Sequence, residues 1–244
     1  MDTDADSLPI PPWRTPRKQV SRREPLSQDV IVDTGLRIVD AEGLDALSMR
    51  RVAQVLGTGP ASLYAHVANK EELLALIYDR VLGEIELPER PDPERWVDQM
   101  RAIALASYEV FRAHKDVAKV GLAAVPTGPN ALRIAEAQFS IMIAGGVPPR
   151  LAGWMMDRLG LYVAADAYEG TLYQGRHTGD TPQEAAENFR AYFQGIADYY
   201  RSLPRDRFPA IVDHVDDLIS GDGEVRFRFG LDLLLAGLEA MVRR

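Results

Sequence analysis

The 244-residue chain has no cysteine, which excludes disulfide staples, thiolate zinc sites, iron–sulfur clusters and thiol catalysis. No run approaches the roughly 18 consecutive apolar residues of a membrane span. The N-terminus, Met1-Asp-Thr-Asp-Ala-Asp, is acidic where a signal peptide is basic and then apolar. A cytoplasmic chain with no membrane partner is therefore expected. Positive charge is in short supply, with 28 Lys and Arg against 36 Asp and Glu for a net charge of −8, so any surface for a polyanion has to be local. Catalytic motifs are missing as well: there is no Gly-x-Ser-x-Gly, no His-Glu-x-x-His and no phosphate-cradling lysine loop. The run from Gly57 begins like a dinucleotide loop, but Ser62 stands at the third glycine and no strand precedes it. His114, His177 and His214 lie far apart, without a second ligand at metal spacing, and read as surface or capping residues. No enzyme, metal or cofactor is expected.

What is present is a hydrophobic content of 46%, enough to fill a core, and charge that is split along the chain. Residues 1–24 read as a flexible arm, with Asp2, Asp4, Asp6 and Pro9, Pro11, Pro12 and Pro16 ahead of and within a basic stretch that carries Arg14, Arg17, Lys18, Arg22 and Arg23. Residues 14–70 hold nine basic and six acidic side chains, so the rest of the chain totals −11. Such asymmetry points to two parts with different partners, one of them anionic, although a basic arm is also what a solvated tail looks like.

The punctuation is helical throughout. Ser27 caps a first helix, with Ile31, Gly35, Ile38 and Val39 at helical spacing and Gly43 as its stop; Ser48 caps a second, with Val52, Ala53, Val55 and Leu56 inward and Gly57 closing it. Pro60 opens a third, Ala61 to about Val67, and Asn69 with Glu72 forms a capping box for a fourth that runs to Pro88. Asp92-Pro93 opens a long amphipathic helix through Phe111. Shorter helices are expected near 117–124 and 129–144, a long one from Pro148-Pro149 to about Tyr173, a loop over 174–180, and a capping box at Thr181-Pro-Gln-Glu for a helix to Ser202. Segments 208–219 and 224–242 complete an all-α fold with no sheet. The expected division is an arm (1–24), a three-helix head (25–70) and a helical second domain (71–244).

Residues 48–67 place a helix, a glycine-centred turn and a second short helix in succession, the helix-turn-helix layout. Ala53 is small where two helices must approach, and Leu56 and Leu63 supply a shared core. Ser62, Tyr64 and His66 are left as polar groups fit for a major groove about 12 Å wide. Arg50 suits a guanine edge or a phosphate, and Lys70 with the first amides of the fourth helix suits phosphates. An ordinary αα-hairpin is the alternative, which would leave room for a helical enzyme or a scaffold protein that never meets DNA.

The run from Ile38 to Leu74, including Leu63-Tyr-Ala-His-Val-Ala-Asn-Lys, resembles the DNA-binding domain of the tetracycline-repressor (TetR) family. The resemblance implies base approach by Arg50 and Ser62, and phosphate grips by Tyr64, His66 and Lys70, with Gly59, Pro60 and Ala61 in the same contact surface. Pro60 and Ala61 are small and apolar where other members place base-reading groups, so direct readout is sparse and centres on thymine methyls, with the basic arm available to compensate. Residues 94–174 also resemble the regulatory core of the tetracycline repressors, through Trp96, the segment Ala113-His-Lys-Asp-Val-Ala-Lys-Val, Pro126, Glu136 and Gly145-Gly146. That implies an effector pocket and a dimer interface formed by the last long helices. Where tetracycline-binding members present an asparagine, a phenylalanine and a magnesium-ligating histidine, this chain has Ile103, Ser107 and Gly121, which argues for a different small molecule. Candidate pocket residues are Met100, Ile103, Ser107, Phe111, Phe139, Met142, Trp154, Met156, Asp157 and Tyr162, with Asp166 as a further polar group; plain core is the competing reading for the aromatic and Met positions, and solvent exposure or subunit contact for Ser107, Asp157 and Asp166. Helices near 149–173 and 224–242, with Gly160, Ala164, Ala165, Ala236 and Gly237, are the expected pairing surface. The whole reads as a homodimeric repressor that binds a palindromic double-stranded operator and is released by a small molecule.

Overall fold

The computed structural model describes residues 25–114, 116–122, 127–176 and 181–242. The expected arm, His177 and most of the expected 174–180 loop lie outside these. Helix α1 (Gln28–Glu42) starts where the Ser27 hydroxyl accepts the Val30 amide and stops at Gly43. After a 3-10 turn (Leu44–Ala46), α2 (Met49–Leu56) is capped by Ser48, whose hydroxyl accepts from the Arg51 amide. Gly57 ends α2 in the left-handed region, φ 63°, which an L side chain adopts only with strain; this is the physical need behind the glycine of the helix-turn-helix turn. Helix α3 (Pro60–Leu63) is a single turn, shorter than the sequence pattern suggests, because its end tightens into bonds from the His66 and Val67 amides to the Leu63 carbonyl. Helix α4 (Lys70–Leu82) is capped by Asn69, and the Glu72 carboxylate reaches back to the Ala68 amide, one residue earlier than the expected box.

Ile31, Val39, Val52, Leu63, Leu73 and Ile77 are fully buried and hold these four helices together. Val55 is exposed, not inward as the spacing suggests, because α2 is short and its buried stripe is Met49, Val52 and Ala53.

After α4 comes α5 (Trp96–Ala113), which starts three residues later than Asp92-Pro93 predicts, since the Asp92 carboxylate accepts the Glu94 amide in a turn ahead of it. The chain continues with α6 (Val117–Gly121), α7 (Pro129–Ala144), α8 (Pro149–Arg176), α9 (Pro182–Arg201), α10 (Pro209–Asp213), α11 (Val215–Ile219) and α12 (Gly223–Val242). The Thr181 capping box of α9 forms as expected, α8 extends into the expected loop, and 208–219 splits into two short helices at His214. No strand occurs among the described residues.

Helices α5, α7, α8 and α12 form the inner layer. Tyr108, Phe227 and Tyr162 from α5, α12 and α8 stack nearly parallel, with ring centroids 3.8 Å and 5.3 Å apart, and the Tyr162 hydroxyl donates to the Phe227 carbonyl at 2.8 Å. Burial, helped by the nearby Asp166 and Tyr108, pushes the Tyr162 phenol up to about 12. Gly145 lies against Trp96 so closely that a Cβ there would come within 2.2 Å of the indole, so the end of α7 closes over the start of α5 only with glycine. Helix α4 belongs to both bodies, packing on α1 on one side and on α6 and α7 on the other.

Candidate nucleic-acid interface and effector core

Helices α2 and α3 present one continuous polar face. Arg50, Gly59, Pro60, Ala61, Ser62 and Tyr64 are exposed, and His66 and Lys70 are half-buried at its edge. The Gln28 side chain donates to the His66 carbonyl and ties the start of α1 to the end of α3.

The cations of the head divide into two groups. Arg51 is bound to Glu42 at 2.6 Å, Arg80 to Asp33 at 2.8 Å, and Arg37 to the Thr34 hydroxyl at 2.8 Å. The Arg51–Glu42 hydrogen bond holds the Glu42 carboxyl below its ordinary value and raises the guanidinium further. Arg50 and Lys70 have no ion pair or side-chain hydrogen bond among the described residues. Both flank the α2–α3 face, where an unmatched cation favours a polyanion. At Gly59 φ is −81°, and a Cβ there would meet nothing within 4 Å. Gly59 is the N-cap of α3, where glycine is a favoured residue, and the space beside it is open to close approach from outside the chain.

Most of the expected pocket residues on α5 and α7 pack into the core. Met100, Ile103 and Met142 are fully buried, Phe111 is buried and stacked on Tyr78 at 5.9 Å, and Phe139 and Met156 pack on the same core. The buried Ser107 hydroxyl donates to the Ile103 carbonyl at 2.8 Å. Of the other candidates, Trp154 is 59% exposed beneath the Arg150 guanidinium and exposed Asp157 pairs with Arg158, both on the outer stripe of α8. Ala164, expected on the pairing surface, is buried within the chain's own core.

An open concavity of about 410 Å³ does exist between α6 and α8, lined by Leu122, Tyr162, Ala165, Asp166, Tyr168, Glu169 and Leu172. Of the expected pocket residues Tyr162 borders it, and Asp166, whose carboxyl is raised by burial and by Glu169, sits in its wall. Leu122, at the rim of this concavity, follows directly on α6, and α6 meets α4 at Gly121, where a Cβ would come within 2.7 Å of the Tyr78 hydroxyl. Burial pushes the Tyr78 phenol up to about 12.

Sequence reasoning missed the joint between the two bodies. Helix α7 begins at Gly128, which offers no side-chain cap, and Asp79 of α4 supplies it instead, accepting from the amides of Ala131 at 2.9 Å and Asn130 at 3.3 Å. A Cβ on Gly128 would fall 2.2 Å from that carboxylate. His114, read as a lone histidine, bridges Asp40 of α1 and Glu84 beyond α4, each at 3.1 Å. These partners stand 51, 74 and 30 residues apart in the chain, so no local spacing could reveal them.

An all-helical chain with a helix-turn-helix head and a larger helical body belongs among the helix-turn-helix transcription regulators. More narrowly, residues 31–77 match the family of bacterial regulatory proteins called tetR and residues 88–242 match the tetracyclin repressor-like C-terminal domain, and the chain belongs to the TetR family. The HTH-type transcriptional repressor DrrR1 of Streptomyces coeruleorubidus is 33% identical over 232 residues, 94% of this chain and 84% of that protein. The tetracycline repressor protein class G of Vibrio anguillarum is 25% identical, covering 88% of this chain and 95% of its own. Among solved structures, the TetR family protein ActR of Streptomyces coelicolor in complex with actinorhodin is similar with a TM-score of 0.80 and 42% identity, covering 88% of this chain and 96% of that one. No helix of the described residues is long and apolar enough to cross a membrane.

Proposed function

We propose that the protein is a ligand-responsive transcriptional repressor that acts as a homodimer in the cytoplasm, reading a palindromic duplex operator with the α2–α3 face. The observation that carries the DNA reading is the pair of cations Arg50 and Lys70, without an ion pair among the described residues, on either side of exposed Gly59, Pro60, Ala61 and Ser62. In this reading Arg50 and Ser62 meet base edges, while Tyr64, His66 and Lys70 hold phosphates. With α3 only one turn long, a single head touches too few base pairs for specific affinity, and two heads on a dyad reach half-sites about 34–36 Å apart.

The second copy has a surface to use. Helix α12 buries Phe227, Leu231, Leu235 and Leu238 in its own chain, yet Val225, Phe229, Leu233 and Met241 line its opposite side exposed. Beside it α8 exposes Trp154 and Leu161, and Gly153, Gly160 and Gly237 leave open space for close approach.

The effector is placed in the α6–α8 concavity, whose volume falls in the range of small-molecule sites. A small molecule there presses on α6, and α6 meets α4 at Gly121 and Tyr78, so binding favours one tilt of α4 over another. Its leverage is the difference in its affinity for the two tilts, not its total affinity. The complex of ActR with actinorhodin supports a small-molecule effector here, of identity set by this chain's own wall residues. Protection mapping of the DNA upstream of the protein's own gene, repeated with candidate small molecules, tests the proposal. A protected two-fold symmetric site that disappears with one of them is expected; absence of protection on any duplex would overturn the reading.

A further inference from the structure

The connection from α5 to α6 reaches across to the DNA-binding head at two points. Asp116, with φ 59°, accepts the Leu44 amide at 3.1 Å, just beyond the glycine that ends α1. Two residues earlier, the His114 ring lies between two acidic side chains: Nδ1 is 3.1 Å from both Asp40 carboxylate oxygens, and Nε2 is 3.1 Å from Glu84 Oε2. A neutral imidazole has one N–H and one lone pair, whereas ionised carboxylates only accept. With both carboxylates ionised, the geometry therefore satisfies both contacts when both ring nitrogens carry protons. With one proton lost, a nitrogen lone pair faces a carboxylate oxygen at contact distance. The ring is mostly covered, its side chain 13% exposed.

We propose that doubly protonated His114 is a latch that docks α1 of the DNA-binding head and the end of α4 onto the effector domain, so that the hold between the two bodies loosens as pH rises. Burial of the ring works against its protonation, and the bonds and charges of Glu84 and Asp40 outweigh that, leaving the histidine above its ordinary value. Among the described residues, the charged groups bearing on the ring are Asp40 from α1 and Glu84 from beyond α4, both negative. Because the docked value is raised, docking strength is fully present below the ordinary histidine value of about 6.5 and is lost as pH climbs through the docked value. Effector-driven movement of α4 has to work against this latch, so the ease of release from DNA becomes pH-dependent. That last step rests on the DNA reading proposed above; the latch itself does not.

The test is an NMR titration of the histidine ring protons in the full chain, with hydrogen exchange at the amides of residues 40–47 in wild type and His114→Gln across pH. The His114 ring is expected to titrate above about 6.5, and Asp40→Asn or Glu84→Gln each to bring it down. In His114→Gln those amides are expected to exchange roughly five- to thirty-fold faster than wild type at about pH 6, and at the same rate at about pH 9. A ring that titrates at or below the ordinary value, or an exchange ratio that does not change with pH, overturns the latch. Should His114→Gln fail to fold, the Asp40→Asn titration decides alone. None of these readouts involves DNA, so failure of the repressor reading leaves them intact.

Discussion

The two bodies of the molecule treat their chemically interesting residues in opposite ways. In the head, the fold is complete without Arg50, Ser62, Tyr64 or Lys70, which stand outside the core that Ile31, Val39, Val52, Leu63 and Leu73 fill. In the effector domain, several of the expected pocket residues also pack the core, with Met100, Ile103 and Met142 fully buried and Ser107 bonded to its own helix. A face that reads DNA is built from residues the fold does not use, and can be seen by what it leaves unpaired. A site inside a helical body draws on the same apolar residues that pack it, so residue type alone does not separate wall from core.

The comparison breaks most sharply at the face of α12 that has no partner in the chain. Replacing Phe229 and Leu233 together with Asp leaves the internal stripe of α12 untouched, and is expected to give a folded monomer whose specific DNA affinity drops by about a hundredfold or more, since one head offers about half the contacts. Sedimentation and DNA binding on the same samples check both parts. Within the head, Arg50→Ala is expected to cost about 1–3 kcal/mol of discrimination between operator and random duplex. Lys70→Ala weakens both alike and lowers the salt slope by about one. Arg51→Ala, which removes an exposed guanidinium already bound to Glu42, changes DNA binding least. A competition titration across the three variants ranks them.

At the joint, Asp79→Ala strips α7 of its cap, and denaturant unfolding should show a loss of about 1–2 kcal/mol. The smallest effect on stability is expected at Gly59: Gly59→Ala should leave unfolding within about 0.5 kcal/mol of wild type while weakening DNA binding, because the new methyl group points into open space. Unchanged DNA affinity would remove Gly59 from the contact face.

Much of the head was legible because its signals are local. Ser27, Ser48, Gly57, Pro60 and Asn69 are each read within three or four residues of their partners, and all act where the spacing predicts. The fold class and the long helices α7, α8, α9 and α12 were legible for the same reason. Val55 was misjudged because α2 has only two turns over which to express a stripe. The exposure of Trp154 and Asp157 is not legible from spacing, because α8 is apolar on more than one side and periodicity does not say which side its own chain covers. The joint was invisible: Asp79 with Asn130, and His114 with Asp40 and Glu84, are pairings made by the packing of helices distant in sequence.

The salt dependence of binding to a protected DNA segment tests the central claim most directly. If paired heads hold phosphates on either side of a dyad, the logarithm of affinity falls steeply and linearly with the logarithm of salt concentration, with a slope near twice that of the monomeric Phe229→Asp, Leu233→Asp variant. A flat dependence, or equal slopes for the dimer and the monomer, would contradict it.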